Sequence, residues 1–208
     1  MTSYPNSSPR TLSDSHRREL RESAIAEEVG KARGYRTIRR RSEVPDVFAN
    51  WQRQLGLVVP THSPDGQTSG YQLKPNKPIR RKDGSAPKYE APTGSPLMLD
   101  VNPLMAEEVR SGTGDLWITE GAKKVDALAS CGEACLGISG VWNFAVPKTH
   151  SKVPLPCWKH VRLRSRRVII VYATRTPAPI PQYRRRSGSL WRCSKGSGPR
   201  YSWFTCRL

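Results

Sequence analysis

Apolar positions recur at helical spacing near the start of the chain and at strand spacing further on, so the period itself divides the sequence. Ser13 or Asp14 can cap a helix running to about Ser23, and Ile25, Val29 and Ala32 put an apolar stripe on a second helix that ends at Gly34. Gly34-Tyr35-Arg36-Thr37 breaks that period, and Val44-Pro45-Asp46 opens a short helix around Val47, Phe48 and Trp51. Leu57-Val58-Val59, the turn Ser63-Pro64-Asp65-Gly66 and the returning Gly70-Tyr71-Gln72-Leu73 predict a β-hairpin. A second glycine turn, Lys82-Asp83-Gly84, lets residues 71–76 and 88–90 extend the same small antiparallel sheet.

Residues 97–108 predict a connection and a helix, closed by Ser111-Gly112-Thr113-Gly114. The pattern then becomes β-α-β: a buried strand Leu116-Trp117-Ile118-Thr119, a helix over 121–130 and a strand Cys135-Leu136-Gly137-Ile138. A basic linker over 147–159, with three prolines, leads to the β-branched run Arg167-Val168-Ile169-Ile170-Val171-Tyr172, which reads as another buried parallel strand. The expected fold class is α+β: N-terminal helices and a small antiparallel sheet, followed by an incomplete α/β region.

Length changes this picture little, since 208 residues suit one or two small domains. No stretch approaches the ~20 apolar residues of a bilayer span. The start lacks the apolar centre of a secretory signal, so a cytoplasmic protein without a membrane partner is expected. The five cysteines show no paired zinc spacing, and Cys131 and Cys135 read as packing residues rather than ligands.

Charge changes the picture more. The net +18 is lopsided: residues 1–133 carry 20 Lys and Arg against 17 Asp and Glu, whereas residues 134–208 carry 15 and no acid. Two basic clusters lie outside that acid-free stretch. Arg39-Arg40-Arg41 sits on a connector, where a solvated run is the commoner reading than a phosphate contact. Lys77, Arg80, Arg81 and Lys82 lie by the second glycine turn, flanked by Tyr71 and Tyr89, where a solvated loop competes with a track for a nucleic-acid backbone.

The chemistry-bearing segment is Thr119-Glu120-Gly121-Ala122-Lys123-Lys124, an acid at the carboxyl end of a strand directly before a glycine and a helix. Ligands of open α/β sheets bind at that edge. The plainer reading is an acid favoured by the helix dipole, with Lys123 and Lys124 on a solvated face.

Glu120-Gly121 after an apolar strand, the helix with Asp126-Ala127-Leu128, and Gly137-Ile138-Ser139-Gly140-Val141-Trp142-Asn143-Phe144 together resemble the Toprim-like domain of primase-type replication proteins of phages and plasmids. The opening from Leu12-Ser13 to Tyr35-Arg36-Thr37, the hairpin at Pro64-Asp65-Gly66, Lys88-Tyr89-Glu90 and Pro92-Thr93-Gly94-Ser95 resemble the region preceding that domain. The resemblance covers about residues 12–172. It divides the chain into a flexible tail over 1–11, a primase-core-like α+β region over 12–110, a truncated Toprim-like region over 111–172 and a basic, disordered tail over 173–208. It implies an acid/base and metal-holding role for Glu120, Mg2+ as cofactor, DNA or RNA as partner, and a replicative helicase or helicase domain as a further one. Lys123, Lys124, Arg80, Arg81 and Lys82 are the nucleic-acid-binding candidates.

The chain departs from that family after Tyr172, where an Asp-x-Asp pair should follow and the sequence reads Ala173-Thr174-Arg175-Thr176-Pro177. A hard divalent cation wants several oxygen ligands, so the remaining acid should hold Mg2+ weakly or not at all, and primase-like nucleotidyl transfer is not expected of this chain. Codon degeneracy offers a reason. If Arg175 uses a CGN codon, reading from the third base of each codon gives NAC NCG NAC NCC, which permits Asp-Ser-Asp. The same shift turns Trp191-Arg192 into Ala or Glu and Trp203-Phe204 into Val. Two readings of 173–208 stay open: an out-of-frame tail on a primase-related protein, or a genuine arm of a non-enzymatic DNA- or RNA-binding module. The second would also use Lys148, Lys152, Lys159, Arg162, Arg164, Arg166 and Arg167.

Overall fold

Ser13 accepts a hydrogen bond from the His16 amide and so caps the first helix, α1 (Asp14–Glu22). The second, α2 (Glu27–Arg33), buries Val29, Gly30 and Arg33 and ends at Gly34. A computed structural model describes residues 12–78, 80–81, 83–140, 143–146 and 153–172, with the backbone of 193–198 and 201–207. The α+β fold class holds.

Beyond Gly34 the chain forms a short strand, β1 (Arg36–Ile38), where the sequence predicted only a break. The helix expected around Val47, Phe48 and Trp51 is replaced by two 3-10 turns, Arg41–Glu43 and Asn50–Gln52. Val44 is extended, as a residue before proline prefers, and the segment left is too short to propagate a helix. Two longer strands follow, β2 (Gly56–His62) and β3 (Thr68–Pro75), in the antiparallel hairpin expected. They complete a three-stranded sheet of order β1-β2-β3. The predicted extension over 88–90 shrinks to one bridge between Leu73 and Glu90.

Residues 97–108 differ from expectation too. They hold a strand, β4 (Asp100–Val101), a 3-10 turn over Pro103–Met105 and a helix, α3 (Ala106–Ser111). The Asn102 side chain accepts from the Leu104 amide and Pro103 opens the turn, so the helix starts late. The β-α-β grammar is met by β5 (Leu116–Glu120), α4 (Ala122–Ser130), β6 (Cys135–Ile138) and β7 (Arg167–Tyr172), with β5 parallel to both β6 and β7. The backbone of β8 (Cys193–Gly198) and β9 (Tyr201–Arg207) forms an antiparallel pair beside β7, where an unstructured arm was expected. The sheet runs β4-β6-β5-β7-β9-β8. The rest of 173–208, and residues 1–11, lie outside the described residues.

Register assigns the faces of this sheet. Leu116 pairs with Val168, and Ile118 and Val101 with Leu136; this face meets Val109, Leu155 and Val161 in one core. On the opposite face Asp100, Gly137 and Thr119 lie in one cross-strand row, under α4. A Cβ at Gly137 would stand 2.8 Å from Val125 Cγ2 and 3.3 Å from Asp100 Cβ, so only glycine lets the helix pack there. A second core joins Leu20, Ile25, Val29, Leu57 and Val59 to Ala122 and Ala129 of the same helix, so α4 serves both sheets.

Between these cores sits a buried ion cluster. Arg33, with no exposed surface, donates from Nε to both oxygens of Asp126 at 3.1 Å, from one terminal nitrogen to Asp126 Oδ1 at 2.7 Å and from the other to Asp100 Oδ1 at 2.5 Å. The Tyr35 hydroxyl and the Asn102 amide also donate to Asp126, at 2.7 and 2.8 Å, and the His62 amide to Asp100 at 3.0 Å. Burial alone would lower the pKa of Arg33; Asp100 and Asp126 outweigh it and raise it. Arg166, also buried, is spent on the backbone carbonyls of Gly114, Glu108 and Asp115.

Removing one member of a buried pair strands the other, at a cost of about 3–5 kcal/mol. Asp126→Ala should therefore lower the melting temperature by roughly 6–20 °C, whereas Asp46→Ala, which breaks an exposed pair with Arg53, should leave it nearly unchanged. Equal shifts in a thermal melt would contradict the weight given to the cluster.

Candidate nucleic-acid interface at the start of the fourth helix

Glu120 closes β5 and is exposed. Its register partner is Ile138, which puts it on the sheet face of Leu116 and Ile118, opposite Asp100. Gly121 then turns the chain into α4 with φ +85°, a conformation strained for any other residue, and its amide donates to the Ile138 carbonyl at 3.2 Å. A Cβ at Gly121 would meet nothing within 4 Å, so the space beside the helix start is open. The first amides of α4 have no side-chain cap.

That space continues into a cleft of ≈ 110 Å³ between the β2–β3 hairpin and the edge of the larger sheet, lined by Thr61, Tyr71, Gln72, Gly121, Ala122 and Ser139 among others. Asp100 also lines it. Its Oδ1 is held by Arg33 and the His62 amide, while the buried Oδ2 has no hydrogen-bond partner. Burial pushes its carboxyl pKa up against the pull of Arg33. Across the turn that follows β6, Asn143 donates to the Ser139 carbonyl at 2.8 Å; Val141 and Trp142 lie outside the described residues.

Of the cations predicted from sequence, Lys123 joins a cluster with Lys74, while Arg80 and Arg81 lie beyond β3. Lys123 forms an ion pair with Glu19 of α1, which Lys74 of β3 also contacts at 2.5 Å. Lys88 is close enough to act on Lys123 electrostatically. Two lysines thus share one carboxylate at the start of α4, with Lys88 nearby. Burial pushes the Glu19 pKa up, but hydrogen bonds from Lys123 and Lys74 outweigh it and bring it down to about 2. Burial lowers the Lys123 pKa against the opposing pull of Glu19. Lys123 therefore ties α4 to α1 rather than standing free on a solvated face. Lys124 is half-buried on α4, and Arg80 is exposed beyond β3. Arg81 donates to the buried Glu90 at 2.9 Å, beside the cleft residue Ala91. Lys82 lies outside the described residues.

In the second basic set, Arg162 and Arg167 are exposed but donate to the Ser111 carbonyl and pair with Asp115, Arg166 is buried, and Lys159 and Arg164 are exposed. Lys148 and Lys152 lie outside the described residues. Sequence reasoning missed the roles of Arg33, Asp100 and Asp126. The signal was there: Arg33 follows Val29 by four residues and Asp126 follows Ala122 by four, so each places a charge on the inward face of its helix.

As a magnesium site this edge does not fit. Glu120 has Ile138 beside it, Asp100 and Asp126 belong to the other face and to Arg33, and the sequence after β7 offers no carboxylate. No group of three or more His, Cys, Asp or Glu gathers among the described residues. A lone carboxylate is a poor donor set for a cation that prefers octahedral oxygen coordination. Nor is any helix among the described residues long and apolar enough to cross a membrane.

Comparison with known proteins gives two likenesses. A family model described as a domain of unknown function (DUF3854) matches residues 110–174. No curated protein matches. Among solved structures, the chain is similar to the crystal structure of the Aquifex aeolicus primase, comprising its zinc binding and RNA polymerase domains. The identity is 14% and the TM-score 0.43, over 63% of this chain and 39% of that one. The chain thus spans about two fifths of that primase chain's length.

Glu19 titrates near 4.5 ordinarily and near 2 in the fold, so the stability from its lysine partners is complete above about pH 4.5 and lost as pH falls toward 2. Glu19→Gln should be less stable than the parent at pH 7 and should show a flatter fall in melting temperature across that window. Parallel curves would show that the lysine cluster does not depend on this carboxylate.

Proposed function

We propose that this chain is a Toprim-like, primase-related replication protein that binds nucleic acid and, as the sequence stands, does not catalyse magnesium-dependent nucleotidyl transfer. The observation that carries the binding half is the pairing of Lys74 and Lys123 with one shared carboxylate, Lys88 close by, at an uncapped helix start that opens onto a cleft. A surplus of cations beside a helix start without a side-chain cap suits a phosphate-bearing chain. Glu120, exposed at the carboxyl end of the central parallel strand and directly before Gly121, supports the Toprim-like half of the reading, because it stands where ligands of open α/β sheets bind.

The catalytic half of the reading fails on its donors. Phosphoryl-transfer sites neutralise charge with cations held by several carboxylates, and here Glu120 stands alone. We attribute that loss to a shifted reading frame after Tyr172. On the same reading, the protein works in phage or plasmid replication, in the cytoplasm, beside a replicative helicase or helicase domain. A basic module that binds through the acid-free segment draws less support, because Arg162, Arg166 and Arg167 are already engaged with the protein's own carbonyls and carboxylates.

Binding of a fluorescently labelled single-stranded oligonucleotide, followed by anisotropy, tests this. The parent should bind, and affinity should fall steeply with salt. Lys88→Gln with Lys124→Gln, which leaves the Glu19 pairs intact, should reduce the slope of log affinity against log salt by about 1.4 for two lost phosphate contacts. Glu120→Gln should not weaken binding, and no nucleotide should be incorporated in the presence of Mg2+. Absence of binding at low salt would overturn the first half of the proposal, and magnesium-dependent synthesis the second.

A further inference from the structure

The end of the small sheet remote from the Arg33 cluster presents an exposed aromatic between basic runs. Ile38, Gly56 and Pro75 lie in one row across the three strands, so Arg39, Leu55 and Asn76 follow side by side at a common edge. The Asn76 amide donates to the Leu55 carbonyl and closes that edge. On one side emerge Arg39-Arg40-Arg41, all exposed; on the other, the exposed Lys77 and Arg80. Between them Val47, Trp51 and Leu55 are 58%, 52% and 42% exposed.

The exposure of Trp51 is built, not incidental. Its neighbour Gln52 is buried: its Nε2 donates to the Ala91 carbonyl at 2.7 Å, and its Oε1 accepts from the amides of Ala49 and Thr93. Phe48 is buried beneath the same segment. With Phe48 and Gln52 turned inward as anchors, Val47 and Trp51 are left outside. Arg41 donates to the carbonyl of Asn50 at 2.8 Å, which ties a guanidinium to the residue preceding Trp51. Glu43 and Asp46 are the acids of this region and pair with Arg40 and Arg53; Arg41, Lys77 and Arg80 have no carboxylate partner among the described residues.

We propose that this edge is a stacking platform for a single-stranded polynucleotide, with a base on the Trp51 indole and backbone phosphates at Arg41 and Lys77. This inference rests on the nucleic-acid reading above and extends it to a second contact point. Every base presents a π-face, so an indole flanked by cations binds single strands with little sequence preference. A docked protein would also accept the apolar centre, but unpaired cations on both flanks favour a polyanion. The two contact points lie on opposite faces of the small sheet, Lys74 on the face of Leu57 and Val59 and the Trp51 segment on the face of Val58 and Leu73, so a strand reaching both must pass around the edge strand β3. From Thr61, which lines the cleft, to Gly56 at the platform end, β2 covers about 17 Å, so one strand spanning both must be several nucleotides long.

The test measures anisotropy of the full chain with labelled oligothymidylates of about 20 and about 4 nucleotides, for the parent, Trp51→Ala, Trp51→Phe and Arg41→Gln. The longer strand should bind Trp51→Ala about 5- to 100-fold more weakly, Trp51→Phe should recover most of the loss, and Arg41→Gln should lower the salt slope. Because Trp51 is half exposed, each variant should melt near the parent's temperature; if Trp51→Ala does not, the comparison of Trp51→Phe and Arg41→Gln with the parent decides. The short strand should discriminate the variants less than the long one. A parent that binds the long strand while all three variants match it would overturn the platform and leave the cleft reading standing. A parent that binds neither strand would overturn both.

Discussion

A guanidinium withdrawn from water must find acceptors on every side, and Arg33 finds them only where two parts of the chain meet. Its partners come from β2, β4 and α4, and Tyr35 and Asn102 complete the coordination of Asp126. Such a cluster contributes little net stability over an apolar core of the same volume, since desolvation offsets much of the attraction. What it does contribute is geometry. Two carboxylates from different elements cannot both reach one planar fork unless the helix and the strand sit in one relative position.

The rest of the arrangement follows from that position. With α4 held against α2 by Arg33, its first turn faces the β2–β3 hairpin, and the space between them becomes the cleft lined by Gly121, Ala122, Tyr71 and Gln72. Glu19 and Lys74 are then near enough to Lys123 to form the lysine cluster. Asp100 links the two features directly, with one oxygen on Arg33 and the other, unpartnered, at the cleft wall. The polar interior and the basic rim are consequences of one joint.

The elements set by local patterning were legible in the sequence. The caps of α1 and α2, the β2–β3 hairpin and the β5-α4-β6 run were expected close to where they stand, because turn residues and apolar periods there have one structural solution. The short strands β1 and β4 carry too few residues to show a period, and β4 forms only because β6 offers it an edge. The helix expected around Trp51 failed against Pro45 and the competing anchor at Gln52. For the site, Glu120 and Gly121 were readable as a strand-end acid and a helix start. Lys123 was readable as a cation but not as a partner of Glu19, which lies 104 residues away in sequence. Lys74 and Lys88 were not readable as cations of this site, since their proximity to Lys123 is made by tertiary packing alone.

On the function proposed above, the absence of carboxylates after Tyr172 comes from a shifted reading frame. The coding DNA across codons 165–208, sequenced and read in all three frames, tests this most directly. The expected result is that the frame entered at the third base of each codon encodes Asp-Ser-Asp directly after the seventh strand and stays open beyond codon 208. A shifted frame without those codons, or one that soon meets a stop, would contradict it and make the acid-free segment a genuine part of the protein.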